Sequence, residues 1–278
     1  MTRRLNIWLL SVLLIIGIPY YWYLIDPGFD PDAGKANAEP VARPVTIAQL
    51  RALAAGPEGA RPAELRVETV GYRYISRNMI VAGSGLRATP TEVRAYELMV
   101  PGAEPLVIDA GTTAKVARAH DFDSYDQQAQ ARIDRALGRA AHALLLSDRP
   151  IHNGGHVSGT RRPGGALPPG GTAPYAPAPG VVVIPVPGLG SRSAMVYVWM
   201  ANDREYLFTG DVARLAASWR RQRLPARLAT RGEKAGYRRE NLSWLMTINA
   251  LHRAAPQMVI VSGHEPGKVP FSAGTFSD

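Results

Sequence analysis

The chain has 278 residues, with 32 basic against 23 acidic side chains, a net charge of +9 and no cysteine. The lack of cysteine excludes thiolate metal ligands, a catalytic thiol and disulfide bonds, so any metal must be held by His, Asp or Glu. An apolar fraction of 46% and a charged fraction of 20% are typical of a globular protein with a substantial core.

The amino terminus carries a predicted membrane-spanning helix. Residues 5–24 contain no charged side chain, and as a helix they reach ~30 Å, the thickness of a bilayer core. Arg3 and Arg4 precede this run, so the positive-inside tendency keeps residues 1–4 in the cytoplasm and exports the rest. The nearest Ala-x-Ala pattern, at residues 36–38, lies too far downstream for signal cleavage. The pattern therefore favours an uncleaved, single-pass signal anchor.

The region after the anchor divides into a linker and a domain. Residues 20–23 form an aromatic cluster, expected at the far membrane interface, and Pro19 is expected to bend the helix near that end. Residues 25–45 are rich in Pro, Gly, Ala and Asp without periodicity, which predicts a linker. Residues 46–278 then form a domain outside the cytoplasm, periplasmic or extracellular.

Hydrophobic periodicity predicts a domain of mixed α and β elements. The first elements are a short helix over 47–53, strands over 65–75, 78–83, 93–100 and 105–111, and a helix over 123–140 capped by Asp123 or Ser124. A strand over 141–147, a Gly- and Pro-rich loop over 153–180, and strands over 181–188, 194–201 and 206–211 follow. The last elements are a helix over 241–254 and a strand over 258–264.

Residues 214–239 contain eight arginines and one lysine. The simplest interpretation is a solvated helix and loop. The alternative is contact with an anionic partner such as lipid headgroups. No nucleic-acid motif accompanies the segment, so no nucleic-acid partner is expected.

Five segments end a strand and enter a loop, and their order carries a family resemblance. They are VIDAG (107–111), LLLSDRPIHNGG (144–155), VIPVPG (183–188), FTGD (208–211) and VIVSGH (259–264). In type, order and spacing they resemble the metallo-β-lactamase superfamily over residues 64–266. The resemblance implies an α+β fold, a four-layer αββα sandwich of two mixed β-sheets, with the site at the strand ends along one edge.

The same resemblance implies a depleted metal site. In the superfamily the second segment carries His-x-His-x-Asp-His before Gly-Gly, and these side chains help to hold two zinc ions. Aligned on Gly154-Gly155, the last histidine remains as His152, whereas the other three positions are Ser147, Arg149 and Ile151. The histidine expected after Pro-Gly is Leu189, while the bridging carboxylate and final histidine remain as Asp211 and His264. Three of seven expected ligands are therefore present.

The first metal position keeps only Asp211 and gains the fixed cation of Arg149. The second keeps His152, Asp211 and His264, which can hold one Zn, Fe or Mn ion at most. Arg149 is expected to pair with Asp211 or with an anionic ligand, and Asp148 is expected to point away from the site because it is out of phase with the ligand positions. Asp109 either supports the metal loop by hydrogen bonding or only satisfies backbone amides of its own turn.

Three functions stay open from the sequence, and whether the chain is an enzyme at all is undecided. The first is hydrolysis of an ester, thioester, lactone, lactam or phosphodiester with one metal ion activating water. The second is a non-catalytic domain that binds a small-molecule or anionic ligand near the membrane, which the ligand losses favour. The third is a sensor or scaffold that uses residues 214–239 against lipid. The oligomeric state is not determined by the sequence.

Overall fold

The computed structural model describes residues 2–26, 28, 39–155, 171–190 and 192–276. It begins with a helix, α1 (Thr2–Tyr20), that continues in a π-helical turn, Tyr21–Ile25. Pro19 has no amide hydrogen to donate to the preceding turn, and the helix widens two residues later. By length and composition, residues Arg3–Ile25 form a helix long and apolar enough to cross a membrane.

The domain is built around two five-stranded mixed sheets. In the first sheet the order is β4-β1-β2-β3-β5, with β3 and β5 parallel; in the second it is β10-β9-β8-β7-β6, with β9 and β10 parallel. The first sheet contains β1 (Glu64–Ser76), β2 (Ala88–Met99), β3 (Leu106–Ile108), β4 (Ser124–Tyr125) and β5 (His142–Leu144). The second contains β6 (Tyr175–Ala178), β7 (Val181–Pro185), β8 (Ala194–Trp199), β9 (Glu205–Phe208) and β10 (Val259–Val261).

Helices cover the outer face of each sheet. Besides α1, the described helices are α2 (Ile47–Ala55), α3 (Arg77–Ile80), α4 (Ala114–Ala119), α5 (Gln127–Arg139), α6 (Ala216–Arg221) and α7 (Tyr237–Ala254). Two 3-10 turns, Gly210–Val212 and Arg227–Thr230, lie in the second half of the chain.

Three apolar clusters hold the layers together. Between the sheets, Tyr96 and Ile108 pack with Phe208. On the outside of the first sheet, Ile133 of α5 packs in a second cluster. On the outside of the second sheet, Leu245 of α7 packs in a third. The strand β7 is buried along its whole length, which explains why its sequence is continuously apolar and does not alternate. The architecture is the predicted α+β sandwich of two mixed sheets with helices outside.

The predicted strand over 78–83 is wrong. Residues Arg77–Ile80 form the short helix α3, and a tight turn follows. The Asn78 side chain accepts a hydrogen bond from the Ser84 amide (3.0 Å), and Gly83 and Gly85 both adopt positive φ. Local hydrogen bonding by Asn, together with two glycines, therefore outweighs the apolar run that suggested a strand.

Two further predicted boundaries differ from the structure. The helix expected over 123–140 begins at Gln127, because Asp126 caps it by accepting from the Gln128 and Ala129 amides. The loop expected over 153–180 contains β6, which pairs with β7; residues 156–170 of that loop lie outside the described residues. In contrast, the strands predicted over 194–201 and 206–211 are present as the antiparallel pair β8 and β9.

The described parts of the predicted linker over 25–45 contact the domain. The Arg43 amide donates to Thr247 Oγ1 of α7 at 2.7 Å, and its side chain pairs with Glu240. Val45 packs against the cluster outside the second sheet. Arg43 thus contacts α7, and Val45 contacts the apolar cluster to which α7 contributes.

Candidate functional site

The candidate site lies where the two parallel strand pairs end. Asp109 follows β3 and His152 lies in the turns after β5, whereas Asp211 follows β9 and His264 follows β10. The carboxyl ends of parallel strands share one edge of a sheet, so each pair brings two of these side chains together. The packing of the two sheets then brings both pairs to one place.

A glycine contact explains why the fourth and fifth segments read Thr-Gly-Asp and Ser-Gly-His. A Cβ atom on Gly263 would overlap the carbonyl group of Gly210. The loops after β9 and β10 therefore touch backbone to backbone, immediately before Asp211 and His264. This close approach is what places the carboxylate beside the imidazole.

Three buried side chains form a group that can hold one metal ion: His152, Asp211 and His264. The His152 Nε2 atom lies 3.6 Å from Asp211 Oδ2, and His264 Nε2 lies 3.4 Å from Asp211 Oδ1. The ligand atoms of the group all lie within 4.8 Å of one another. Two imidazoles and a carboxylate suit zinc or non-haem iron.

Both imidazoles are oriented by hydrogen bonds on the side away from Asp211. His152 Nδ1 lies 2.6 Å from Asp109 Oδ2, and His264 Nδ1 lies 2.9 Å from the carbonyl oxygen of Glu92. The other oxygen of Asp109 accepts from the Leu146 amide at 2.8 Å. Asp109 thus contacts the His152 imidazole and a backbone amide of the loop after β5, which is not its own turn. This arrangement leaves the Nε2 atoms directed at Asp211, as in histidines that bind metals.

Two arginines also contact the central carboxylate. Arg149 Nη1 lies 3.5 Å from Asp211 Oδ2, and Arg214 Nε lies 3.0 Å from Asp211 Oδ1. Arg149 additionally pairs with Glu233 at 2.5 Å. The sequence pointed to the Arg149–Asp211 pair but missed Arg214 and Glu233. The only signal for Arg214 was its position three residues after Asp211, within the basic segment.

Burial and charge set the protonation states of the group. Burial disfavours the charged form of Asp211, yet Arg214 and His152 hold its pKa well below its usual range. Burial also opposes protonation of His152, but the carboxylates of Asp109 and Asp211 outweigh it and raise the pKa to about 10. Burial lowers the pKa of His264 more than its contact with Asp211 raises it. Without a metal ion, Asp211 and His152 are charged at neutral pH and His264 is neutral.

The residues at the other metal-ligand positions that the resemblance implied have contacts of their own. Ser147 is buried, and its Oγ accepts from the Arg149 amide at 3.2 Å. Leu189 is part of the apolar cluster outside the second sheet. Asp148 contributes backbone contacts, since its carbonyl accepts from the Asn153 side chain at 2.7 Å. Ile151 lines a pocket beside the group. Two residues that flank the segments, His156 and Ser191, lie outside the described residues.

The adjoining pocket is apolar on its walls and cationic at one end. Arg73 and Arg214 lie at the cationic end beside His264, and burial together with Arg214 lowers the pKa of Arg73. The apolar lining comes from Ile75, Ile80, Val93, Phe122 and Ile151. Its cavity volume of about 20 Å³ holds little more than one water molecule, so the pocket can take only a small anionic group.

Buried polar atoms without a hydrogen-bond partner indicate whether a metal ion fits the group of His152, Asp211 and His264. Within the described part of the chain, His152 Nε2 and Asp211 Oδ2 are buried and have no hydrogen-bond partner. Ligand atoms around a tetrahedral zinc ion lie about 3.3 Å apart for bonds of about 2.0 Å, close to the 3.4 and 3.6 Å found here. One ion fits these residues. Of the other expected ligand positions, Ser147 and Leu189 are engaged elsewhere, and Arg149 lies beside Asp211 Oδ2.

Comparisons with known proteins agree on the fold. No family model and no curated protein sequence matches the chain. A solved structure of a quorum-quenching N-acyl homoserine lactone lactonase aligns with 75% of this chain and 94% of its own, at 13% identity and a TM-score of 0.58. The structure of a Bacillus thuringiensis protein with N-decanoyl-L-homoserine bound at its active site aligns with 74% of this chain and 94% of its own, at 13% identity and a TM-score of 0.58. The structure of a probable metal-dependent hydrolase from Staphylococcus aureus aligns with 74% of this chain and 91% of its own, at 10% identity and a TM-score of 0.51.

At 10–13% identity the similarity establishes the fold alone. The aligned structures are metallo-β-lactamase-fold proteins. The sheet order, the site at one edge and these alignments agree, and the chain is a protein of the metallo-β-lactamase fold.

Proposed function

We propose that the domain binds an anionic ligand at the edge where metallo-β-lactamase-fold hydrolases hold metal, and that it is not a two-metal hydrolase. The observation that carries this proposal is the contact of two guanidinium groups, those of Arg149 and Arg214, with the Asp211 carboxylate. A fixed cation at the first metal position excludes an ion there by charge and by volume.

The lining of the pocket supports an anionic ligand. Arg73 and Arg214 are part of this lining beside His264, and none of the described residues that line the pocket is acidic. Guanidinium groups bind carboxylates and phosphates through paired hydrogen bonds, so the ligand class is a small carboxylate or phosphate.

Binding of simple probes tests this proposal. Acetate and inorganic phosphate are titrated into the chelator-treated protein by calorimetry, and binding is expected because each presents a small anion to the two arginines of the pocket. Arg73→Gln is expected to weaken binding, whereas Arg204→Gln, an exposed arginine stacked on Phe271, leaves it unchanged. Equal binding by both variants, or none by the unmodified protein, contradicts the proposal.

A second function, hydrolysis with one metal ion, is favoured by the unpartnered atoms His152 Nε2 and Asp211 Oδ2. A bound ion would supply Lewis-acid polarisation of a carbonyl or phosphoryl oxygen at this edge. Under this proposal Asp109 orients His152, and Arg149 holds the anionic part of the substrate. The substrate classes stay those of the fold: esters, thioesters, lactones, lactams or phosphodiesters.

Metal analysis separates the two functions. If one ion binds, the purified protein contains at most one equivalent of Zn, Fe or Mn, and His264→Ala removes it. His252→Ala is the matched control, since that imidazole packs on Trp219 away from the group. Two equivalents of zinc at neutral pH contradict a depleted site. So does new esterase or lactonase activity from Arg149→His, which rebuilds a single ligand.

We also propose that residues 5–24 anchor the chain in a membrane, uncleaved, with the domain outside the cytoplasm. The support is the apolar helix Arg3–Ile25 and the arginines at its start. The mass of the mature protein and protease protection in cells and spheroplasts test this arrangement. A soluble product that starts near residue 39 refutes the anchor, and cytoplasmic exposure of residue 200 refutes the topology.

A further inference from the structure

The end of the proposed anchor is packed against the domain. The π-helical turn Tyr21–Ile25 contacts α3 and the 3-10 turn Arg227–Thr230, and those two elements contact each other. Gly83, in the turn after α3, has φ +74, and a Cβ atom there would lie 3.2 Å from the carbonyl oxygen of Ile25. The domain backbone therefore approaches the last turn of the helix closely.

Two buried arginines bind the residues that follow the helix. Arg227 Nη1 lies 2.5 Å from Asp26 Oδ2 and 3.3 Å from the carbonyl oxygen of Trp22, and its guanidinium lies 3.8 Å from the centre of the Trp22 ring. Arg238 donates to the carbonyl oxygen of Gly28 from both Nε (3.1 Å) and Nη2 (2.5 Å). Both arginines are 6% exposed. These contacts hold the domain at the end of the helix in one orientation.

The surface around this contact has the composition of a membrane interface. We call residues 83–87 and 227–231 the seat. Leu86 (58% exposed) and Leu228 (43% exposed) are among the few large apolar side chains that the described domain exposes to solvent. Arg87 and Arg231 are exposed beside them, and the Arg231 guanidinium lies 5.7 Å from the centre of the Tyr23 ring. Aromatic, aliphatic and basic side chains combine in this way at the headgroup level of bilayers.

We infer that the domain lies directly on the membrane surface through the seat, with Leu86 and Leu228 in the headgroup region and Arg87 and Arg231 on lipid phosphates. The inference rests on the proposed anchor, because a membrane-spanning α1 must leave the bilayer at residues 20–25. Elements packed on those residues must then lie at the interface, on whichever side of the membrane the domain is found. Anionic lipid strengthens the contact through the two exposed arginines.

The lack of cysteine makes a direct test simple. The full-length chain is reconstituted into vesicles of phosphatidylcholine alone or mixed with phosphatidylglycerol, each containing nitroxide-labelled headgroups. A fluorophore is attached at Leu228→Cys or at the control Ala103→Cys. Residue 103 is exposed in the turn after β2, at the opposite end of the β1–β2 pair from residue 86. At ~3.3 Å per residue, that end lies ~40 Å away.

The seat predicts strong quenching at residue 228, stronger still with phosphatidylglycerol, and little quenching at residue 103. Asp26→Asn, which removes the ion pair with Arg227 without touching the core, is expected to reduce quenching at 228 while the protein still floats with the vesicles. Equal quenching at 103 and 228 in floating protein overturns the seat and leaves the anchor standing. Protein that does not float refutes the anchor, and the seat with it.

Discussion

The pair formed by Arg149 and Asp211 offers the most direct test of the proposal that a guanidinium occupies the first metal position. At an effective dielectric constant of about 20, two unit charges 3.5 Å apart attract with about 5 kcal/mol. The net coupling is smaller, because Arg214 shares the carboxylate at 3.0 Å and the Arg149 side chain is 28% exposed. We expect a coupling free energy of about 1–3 kcal/mol between the two side chains.

A double-mutant cycle with Arg149→Met, Asp211→Asn and both together measures that coupling. Asp211→Asn alone is expected to lower the free energy of unfolding by about 3–5 kcal/mol, since it leaves buried cations without their carboxylate. Unfolding by urea is followed by circular dichroism in detergent solution, with a chelator present so that no metal contributes.

A surface pair provides the control for this cycle. Arg61 and Asp203 lie 3.1 Å apart, but the Asp203 side chain is 75% exposed, so their coupling should not exceed about 1 kcal/mol. If the Arg149–Asp211 coupling is no larger than that of the surface pair, the guanidinium does not neutralise Asp211 in solution. The case for a replaced metal would then fail.

The second sheet and the site loops give further predictions. Glu205 accepts two hydrogen bonds from Arg51 (2.9 and 2.7 Å) and one from the buried Tyr197 hydroxyl. Glu205→Ala should therefore lower the free energy of unfolding in urea by about 3 kcal/mol, and Glu205→Gln should lower it less. Burial opposes ionisation of Glu205, but Arg51 and Tyr197 lower its pKa below the ordinary 4.5. The ionised Glu205 carboxylate therefore stabilises the fold above pH 4.5, and this stabilisation is lost as the pH falls through the lowered pKa. The difference in free energy of unfolding between wild type and Glu205→Gln should shrink in acid. Gly263→Ala should separate the loop after β10 from Gly210 and reduce both thermal stability and metal content, whereas Gly232→Ala, where an added methyl group contacts nothing within 4 Å, should change neither.

Local patterns in the sequence determined the apolar first helix, most of the other elements and the order of the five strand-end segments. Apolar runs and period-two alternation are properties of neighbouring residues, so the run over 5–24 and the strand over 65–75 can be recognised without a structure. The same is true of Asp109, His152, Asp211 and His264, because each directly follows or closely trails a strand whose end is visible in the sequence. The hydrophobic pattern of a short segment does not determine its secondary structure. Residues 78–83 match a strand pattern but form a helix and a turn, because Asn78, Gly83 and Gly85 decide the local hydrogen bonding.

Only the tertiary structure decided which charges meet. Glu233 pairs with Arg149 across 84 positions, and Arg227 pairs with Asp26 across 201. No periodicity connects such residues, since their contact depends on how the two sheets and the first helix pack. The basic segment 214–239 illustrates the difference. Its composition suggested a solvated surface, yet Arg227 and Arg238 are buried and bind the residues after the first helix, and Arg214 contacts the Asp211 carboxylate. Arginine is buried when distant acceptors satisfy its guanidinium, and the positions of those acceptors are a property of the fold.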